Sequence, residues 1–222
     1  MSTNEAPVIA GHTVERFGFF TDAVFAIAMT LLVIEIPRPQ GSTFHVGRGV
    51  SKTEAFERLW HFLVVQHNSF YAYLLAFSML WIVWRQHHVL LDRVSAMSSA
   101  MVGWHFPLLL LAAFLPYATT VMGHFHDNPM AALLLWFAVW GLLFSRTVIE
   151  AMAFRDGVLL PGVDKERYRD TLIVSRGVVG YWTLTLALVW WTPWVEIFWS
   201  LTVFAGSVGR IARRRATAPA GP

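Results

Sequence analysis

The sequence predicts an all-α, polytopic membrane protein with six transmembrane helices per subunit, and three observations carry that prediction. Of the 222 residues, 56% are hydrophobic and mean hydropathy is +0.51. Asp, Glu, Lys and Arg make up only 14%, against roughly 25% in soluble domains. The apolar residues are gathered into long runs, and about 20 such residues in a helix cross a hydrocarbon core of about 30 Å. The 11 Trp and 17 Phe fit the same reading, because indole rings settle where hydrocarbon meets water. Cysteine is absent, which excludes a disulfide framework and a thiolate metal site.

The first run extends from Phe17 to Ile36 and stops at Pro37 and Pro39, which lack a backbone donor and fix φ. The second covers Phe62 to Trp84, the third Met97 to Met122 and the fourth Met130 to Ala153. Pro107 and Pro116 fall inside the third; neighbouring helices re-satisfy the freed carbonyls in a membrane, and a kink is expected. Residues 171 to 192 and 194 to 211 form the last two runs, separated at "WWTPWVE". One helix across both would exceed any bilayer, and Pro193 among Trp190, Trp191, Trp194 and Trp199 reads as an interfacial turn. No internal repeat is visible. The expected organisation is a cytoplasmic N-terminus over 1–15, one membrane domain over 16–211 and a basic, then disordered, cytoplasmic tail over 212–222.

Six spans place both termini on one side, and the distribution of cations chooses it. With a cytoplasmic N-terminus, only Arg38, Arg48, Lys52 and Arg58 of the 17 Lys and Arg fall outside. The expected location is therefore the cell membrane, with both termini cytoplasmic. The "RIARRR" run reads as a juxtamembrane anchor to anionic lipid rather than a nucleic-acid patch. The first 16 residues lack the pattern of a cleaved signal peptide.

Within "RFGFFTDAVFAIAMTLLVIEIPRP", residues 16–39, an aspartate sits in an apolar run. On a helical wheel with Ile27 at 0°, Thr30, Leu31 and Ile34 fall near about −60°, 40° and −20°, and Asp22 near about −140°. Four residues thus share a narrow stripe that excludes Asp22. Periodicity alone is satisfied by lipid exposure or by helix packing. An intramembrane carboxylate costs about 2.5 to 3.5 kcal/mol on insertion scales, so Asp22 is expected to face the protein interior with a partner. It is either a proton or cation site, or a pin bonded to Arg16, Thr21, a histidine or a tryptophan N–H. Glu35, near the outer end, reads as interfacial.

Two motifs resemble prokaryotic homologues of the lysosomal potassium channel, the transmembrane protein 175 family. The first span of that family opens with Arg, three residues, then Phe-Ser-Asp, matched here by Arg16, Phe20, Thr21 and Asp22, with Thr21 in place of the usual Ser. The second span ends in "FSMLWIVWRQHHVLL", similar to the family's tryptophan followed by a His pair, here Trp84, His87 and His88. The resemblance implies a homotetramer whose first helices line a central pore. It implies that Ile27 is the principal hydrophobic constriction, with Leu31 and Ile34 as further apolar rings and Thr30 as a ring of hydroxyls. It also implies a packing network of Arg16, Phe20, Thr21, Asp22 and His87 holding the pore helix.

The function so implied is leaky, moderately selective potassium conduction through an apolar neck that serves as gate and filter. Potassium ions, the lipid bilayer and further copies of the chain are the expected partners, with no cofactor, no metal site and no nucleic acid. The alternative is a proton-coupled secondary transporter using Asp22, although transporters usually carry internal repeats and broken helices. A histidine-box oxidase is disfavoured: none of the nine histidines lies three or four residues from another, the spacing that puts two imidazoles on one helix face. Walker, GxSxG and HExxH motifs are absent, so an enzyme is not expected.

Overall fold

The computed structural model describes residues 14–41, 44–47, 49–192 and 194–203. The expected N-terminal segment up to residue 13, Arg48, Pro193, the end of the sixth span and the basic tail lie outside the described residues. Six α-helices are bounded in order: α1 Val14–Ile34, α2 Lys52–Val65, α3 His67–Leu91, α4 Ser99–His124, α5 Pro129–Arg155 and α6 Lys165–Thr185. A 3-10 segment, Leu186–Trp191, continues α6, and residues 195–203 are helical again.

Local chemistry sets these boundaries. Ser51, Ser98, Asn128 and Asp164 cap α2, α4, α5 and α6, each side-chain oxygen accepting a backbone N–H of the first turn. Pro129 opens α5, where its missing donor is harmless. Gly157, with φ of 68°, ends α5 in the left-handed conformation that glycine adopts without a Cβ clash. α4 runs through Pro107 and Pro116 as one helix.

Two expected boundaries are corrected. Residues 62–65 belong to α2, and the second apolar run is α3, His67–Leu91, with Gln66 at the junction. Phe62, Leu63, Val64 and Val65 are the last turn of an amphipathic helix whose apolar residues run straight into those of α3, so hydropathy merges the two. The segment between the first two expected runs accordingly contains the start of α2, at Lys52. The fifth run begins earlier than expected, at Lys165, because Asp164 caps it and the first two turns are charged.

Among the described residues, four helical stretches are long and apolar enough to cross a membrane: Val14–Ile34, Ser99–His124, Pro129–Arg155 and Lys165–Trp191. α5 is the hub. Its buried residues cover most of its circumference, and it packs against α3, α4, α6 and the 3-10 segment. α1 lies against α3 and α4. The core is aliphatic through Met79, Leu80, Leu108, Leu115 and Leu135, all fully buried, and becomes aromatic where Trp182 stacks on Trp199 at 5.6 Å.

On the side where α3 begins, the chain is tied together by Asn68 with His126 at 2.8 Å, by Tyr71 donating to the Glu196 carbonyl at 2.9 Å and by Thr192 donating to the His126 carbonyl. On the opposite side the loops after α3 and α5 pair, with the Ser95 N–H donating to the Val158 carbonyl at 2.8 Å and the Leu160 N–H to the Arg93 carbonyl at 2.9 Å. α2 stands apart: Ala55 is its one buried residue, while Phe56, Leu59, Trp60 and Leu63 are exposed.

Candidate pore-lining face of the first helix

α1 has two faces. Thr21, Phe25, Ala28 and Leu32 are buried, and on the same wheel they fall near about 120°, 160°, 100° and 140°. That arc is the one laid against α3 and α4. The stripe on the far side is left uncovered by the described residues: Ile27 is 59% exposed, Leu31 39% and Ile34 52%, and Thr30 is exposed with them. The Thr30 hydroxyl donates its hydrogen to the Ile27 carbonyl at 2.8 Å, which leaves the oxygen lone pairs directed away from the backbone.

Asp22 sits at the edge of the buried face and is held from α3. Trp84 Nε1 donates to Asp22 Oδ1 at 2.8 Å, and His88 Nδ1 lies 3.5 Å from Asp22 Oδ2. The tryptophan N–H can do this because residues 84 and 88 are one turn apart and both indole and imidazole, 5.7 Å between centroids, reach the same carboxylate. Thr21, fully buried, donates its hydroxyl to the Phe17 carbonyl at 2.9 Å. Phe20 and Arg16 are exposed, and Phe20 falls near about 20° on the wheel, on the stripe side of the helix rather than beside Asp22.

His87 turns the other way from His88. It is buried, 3.3 Å from His105 through the two Nε2 atoms, with the rings edge-on at 4.9 Å. His105 Nδ1 lies 2.6 Å from the Met101 carbonyl. A carbonyl only accepts, so in the neutral pair His105 carries its proton on Nδ1, its Nε2 accepts, and His87 donates from Nε2. Phe17 and Phe25 of α1 close over this pair at 4.5 and 6.4 Å. The helix carrying the stripe is thus held by one polar pin and one aromatic-imidazole cluster.

Two groups escape motif reading. His105 has no local signal, since its partner lies on another helix. Arg146 and Glu150 form a buried ion contact at 3.1 Å within α5, with Arg146 also donating to Ser175 of α6 at 2.9 Å. Their i, i+4 spacing was the readable sign.

The profile of the endosomal/lysosomal potassium channel TMEM175 family matches residues 16–116, the portion that runs from near the start of α1 through α2 and α3 into α4. A potassium channel of Streptomyces collinus is 30% identical over 78% of this chain and 81% of its own length. A potassium channel of Chamaesiphon minutus is 27% identical over 82% of this chain and 87% of its own. The crystal structure of a lysosomal potassium-selective channel TMEM175 homologue from Chamaesiphon minutus shares the fold, with a TM-score of 0.72 at 22% identity over 88% of this chain and 96% of that one. With its apolar helices the protein is a multi-pass membrane protein, and the chain belongs to the TMEM175 family.

Proposed function

We propose that this protein is a potassium channel of the cell membrane: a homotetramer of six-span subunits, both termini cytoplasmic, in which α1 from each copy lines a common pore. The observation that carries the proposal is the uncovered Ile27–Thr30–Leu31–Ile34 stripe, set across α1 from the arc that binds α3 and α4. Four such stripes around an axis make an apolar neck, with Ile27 as the constriction and Leu31 and Ile34 as rings beyond it. An ion crossing a ring of isoleucine sheds water with no oxygen to replace it. Potassium, the larger ion, holds its shell less tightly than sodium and is favoured modestly. Thr30 adds partial compensation: its hydrogen is committed to the Ile27 carbonyl, so four oxygens offer lone pairs to a cation. The same neck closes by dewetting when it narrows slightly.

Arg16, Phe20, Thr21, Asp22 and His87 act in this reading as the frame of the pore helix rather than as ion ligands. Asp22 is engaged by Trp84 and His88 on the side away from the stripe, which suits a pin better than a proton carrier. Reconstitution of the purified protein in a planar bilayer tests the proposal. Current is expected to reverse near the potassium equilibrium potential with no proton gradient, and Ile27→Asn is expected to wet the neck and lower the potassium-to-sodium permeability ratio. Flux that disappears when a proton gradient is collapsed identifies a transporter instead, and an Ile27→Asn protein with unchanged conductance and permeability ratio removes Ile27 from the constriction.

A further inference from the structure

The junction of α2 with α3 lies at the rim of the membrane. Asn68, two residues past Gln66, pairs with His126 in the turn between α4 and α5, and the Ser69 hydroxyl reaches the Gly123 carbonyl near the end of α4. The Thr192 hydroxyl donates to the His126 carbonyl from just beyond the Lys165–Trp191 span. Ends of three membrane-length helices therefore meet at one level. Trp190, Trp191 and Trp194 are exposed beside it, and indole rings settle where hydrocarbon meets water.

α2 leaves the bundle from that level. Gln66, with ψ of 11°, departs from helical geometry, and the His67 ring reaches back to the Val64 carbonyl at 3.0 Å. Among the described residues α2 meets no helix but the adjoining α3. With Lys52 at 0° on a helical wheel, Leu59, Leu63, Phe56 and Trp60 fall at about −20°, 20°, 40° and 80°. All four are exposed. Glu57, His61, Glu54 and Arg58 occupy the opposite arc, from about 140° to 240°, with Arg58 paired to Glu54. The preceding loop covers one flank, where Phe44 meets Phe62 edge-on at 5.8 Å, and leaves the Phe56–Leu63 face open.

We propose that α2 is an interfacial anchor: it lies along the bilayer surface, the outer one in the proposed topology, with Phe56, Leu59, Trp60 and Leu63 set into the boundary between headgroups and acyl chains. An amphipathic helix with Trp, Phe and Leu on one face and charges on the other binds in this way. The occupant is phospholipid rather than a second copy of the chain. Helices that pack together in membranes favour small residues at the contact, whereas these four are bulky, and the face starts at the level of the exposed tryptophans. Lys52 and Arg58 balance Glu54 and Glu57, so apolar burial supplies the hold and zwitterionic lipid suffices. Lys52, on the apolar side of the first turn, lays its stem along the face and keeps its ammonium in water. The inference rests on the membrane-spanning fold and not on the pore, so it stands or falls apart from the channel reading.

The test is spin labelling of the full-length protein in phosphatidylcholine vesicles. The chain has no cysteine, so Phe56→Cys, Leu63→Cys, Glu57→Cys and His61→Cys each carry one nitroxide. All four positions are exposed, and the label displaces no buried side chain. Relaxation by oxygen, which concentrates among acyl chains, is compared with relaxation by a water-soluble nickel chelate. Labels at 56 and 63 are expected to favour oxygen and to sit about 5 to 10 Å deeper than those at 57 and 61, which favour nickel. Labels at 56 and 63 that are shielded from both reagents show the face covered by protein, as between copies of the chain, and overturn the proposal. Equal responses on the two faces, whichever reagent prevails, overturn it as well, because the helix then stands in water or is wholly immersed.

Discussion

Trp84 donates its indole N–H to the Asp22 carboxylate at 2.8 Å, and this bond joins the helix bearing the apolar stripe to its neighbour α3. Asp22 contributes the acceptor from α1 while His88, one turn from Trp84, stands 3.5 Å from the other oxygen. Removing the indole donor leaves the carboxylate with that one longer contact. Trp84→Phe keeps an aromatic ring and removes the N–H, and is expected to destabilise the protein by about 1 to 3 kcal/mol. His88→Ala is expected to do less. Thermal unfolding of the detergent-solubilised protein measures both, and equal midpoints for Trp84→Phe and wild type show that the bond does not hold the helix.

The Arg146–Glu150 pair tests a different kind of burial. Both side chains are at most 5% exposed, and Arg146 reaches across to Ser175, while Tyr168 donates to the Glu150 carbonyl at 2.9 Å. Truncating one partner strands the other charge. Arg146→Met alone is expected to lose about 3 to 5 kcal/mol, and combining it with Glu150→Met is expected to recover much of that loss, because two apolar side chains of similar volume replace the pair. A double-mutant cycle on unfolding free energy reads the coupling, and additive losses overturn it.

Close approach of α3 and α4 depends on Gly123. A Cβ placed there meets the Ser69 Cα at 2.9 Å, its Oγ at 3.0 Å and its Cβ at 3.2 Å. The nearest atom is backbone, so one helix must move. Gly123→Ala is expected to destabilise by about 1 to 3 kcal/mol through overpacking. Gly103, on the same helix, provides the opposite case, because a methyl group there would meet nothing within 4 Å. Gly103→Ala is expected to be neutral or to stabilise by up to about 1 kcal/mol from helix propensity. Unfolding midpoints for the two variants that shift by the same amount and sign show that the approach is not limiting.

How far the sequence could be read depended on whether a feature was local. The stripe on α1 and the exclusion of Asp22 from it follow from helical spacing alone, and a wheel places Ile27, Thr30, Leu31 and Ile34 on one edge before any neighbour is known. The end of α1 was nearly as plain: the helix stops at Ile34, just short of the expected Ile36, because Pro37 and Pro39 follow. α2 was hidden by continuity: Phe62–Val65 closes an amphipathic helix, and only the turn at Gln66 separates it from the apolar run of α3. The choice between His87 and His88 as the imidazole near Asp22 was beyond spacing, since adjacent residues point about 100° apart and the position of α1 decides which one meets it. His105 was invisible for the same reason, as its bond to His87 spans two helices.

Thr30 offers the sharpest separation of selectivity from assembly. Its hydroxyl is the polar group on an otherwise aliphatic stripe, and its hydrogen is spent on the Ile27 carbonyl at 2.8 Å, so toward the proposed pore it presents an acceptor and no donor. An acceptor ring stabilises a partly dehydrated cation at the level where Ile27 and Leu31 offer nothing. In the proposed tetramer Thr30→Ala removes four acceptors and leaves the neck apolar throughout, while alanine suits a helix at least as well as threonine. Expression and unfolding midpoint are therefore expected to hold, and the potassium-to-sodium permeability ratio to fall by about two- to ten-fold, equivalent to at most about 1.4 kcal/mol of lost discrimination. Thr30→Ser, which keeps the oxygen, is expected to retain the ratio. Bi-ionic reversal potentials measure the three proteins side by side. If Thr30→Ala reverses at the same potential as wild type, the oxygens contribute nothing and the aliphatic rings alone discriminate; if Thr30→Ser falls as far as Thr30→Ala, the methyl group rather than the lone pairs is what the passing ion requires.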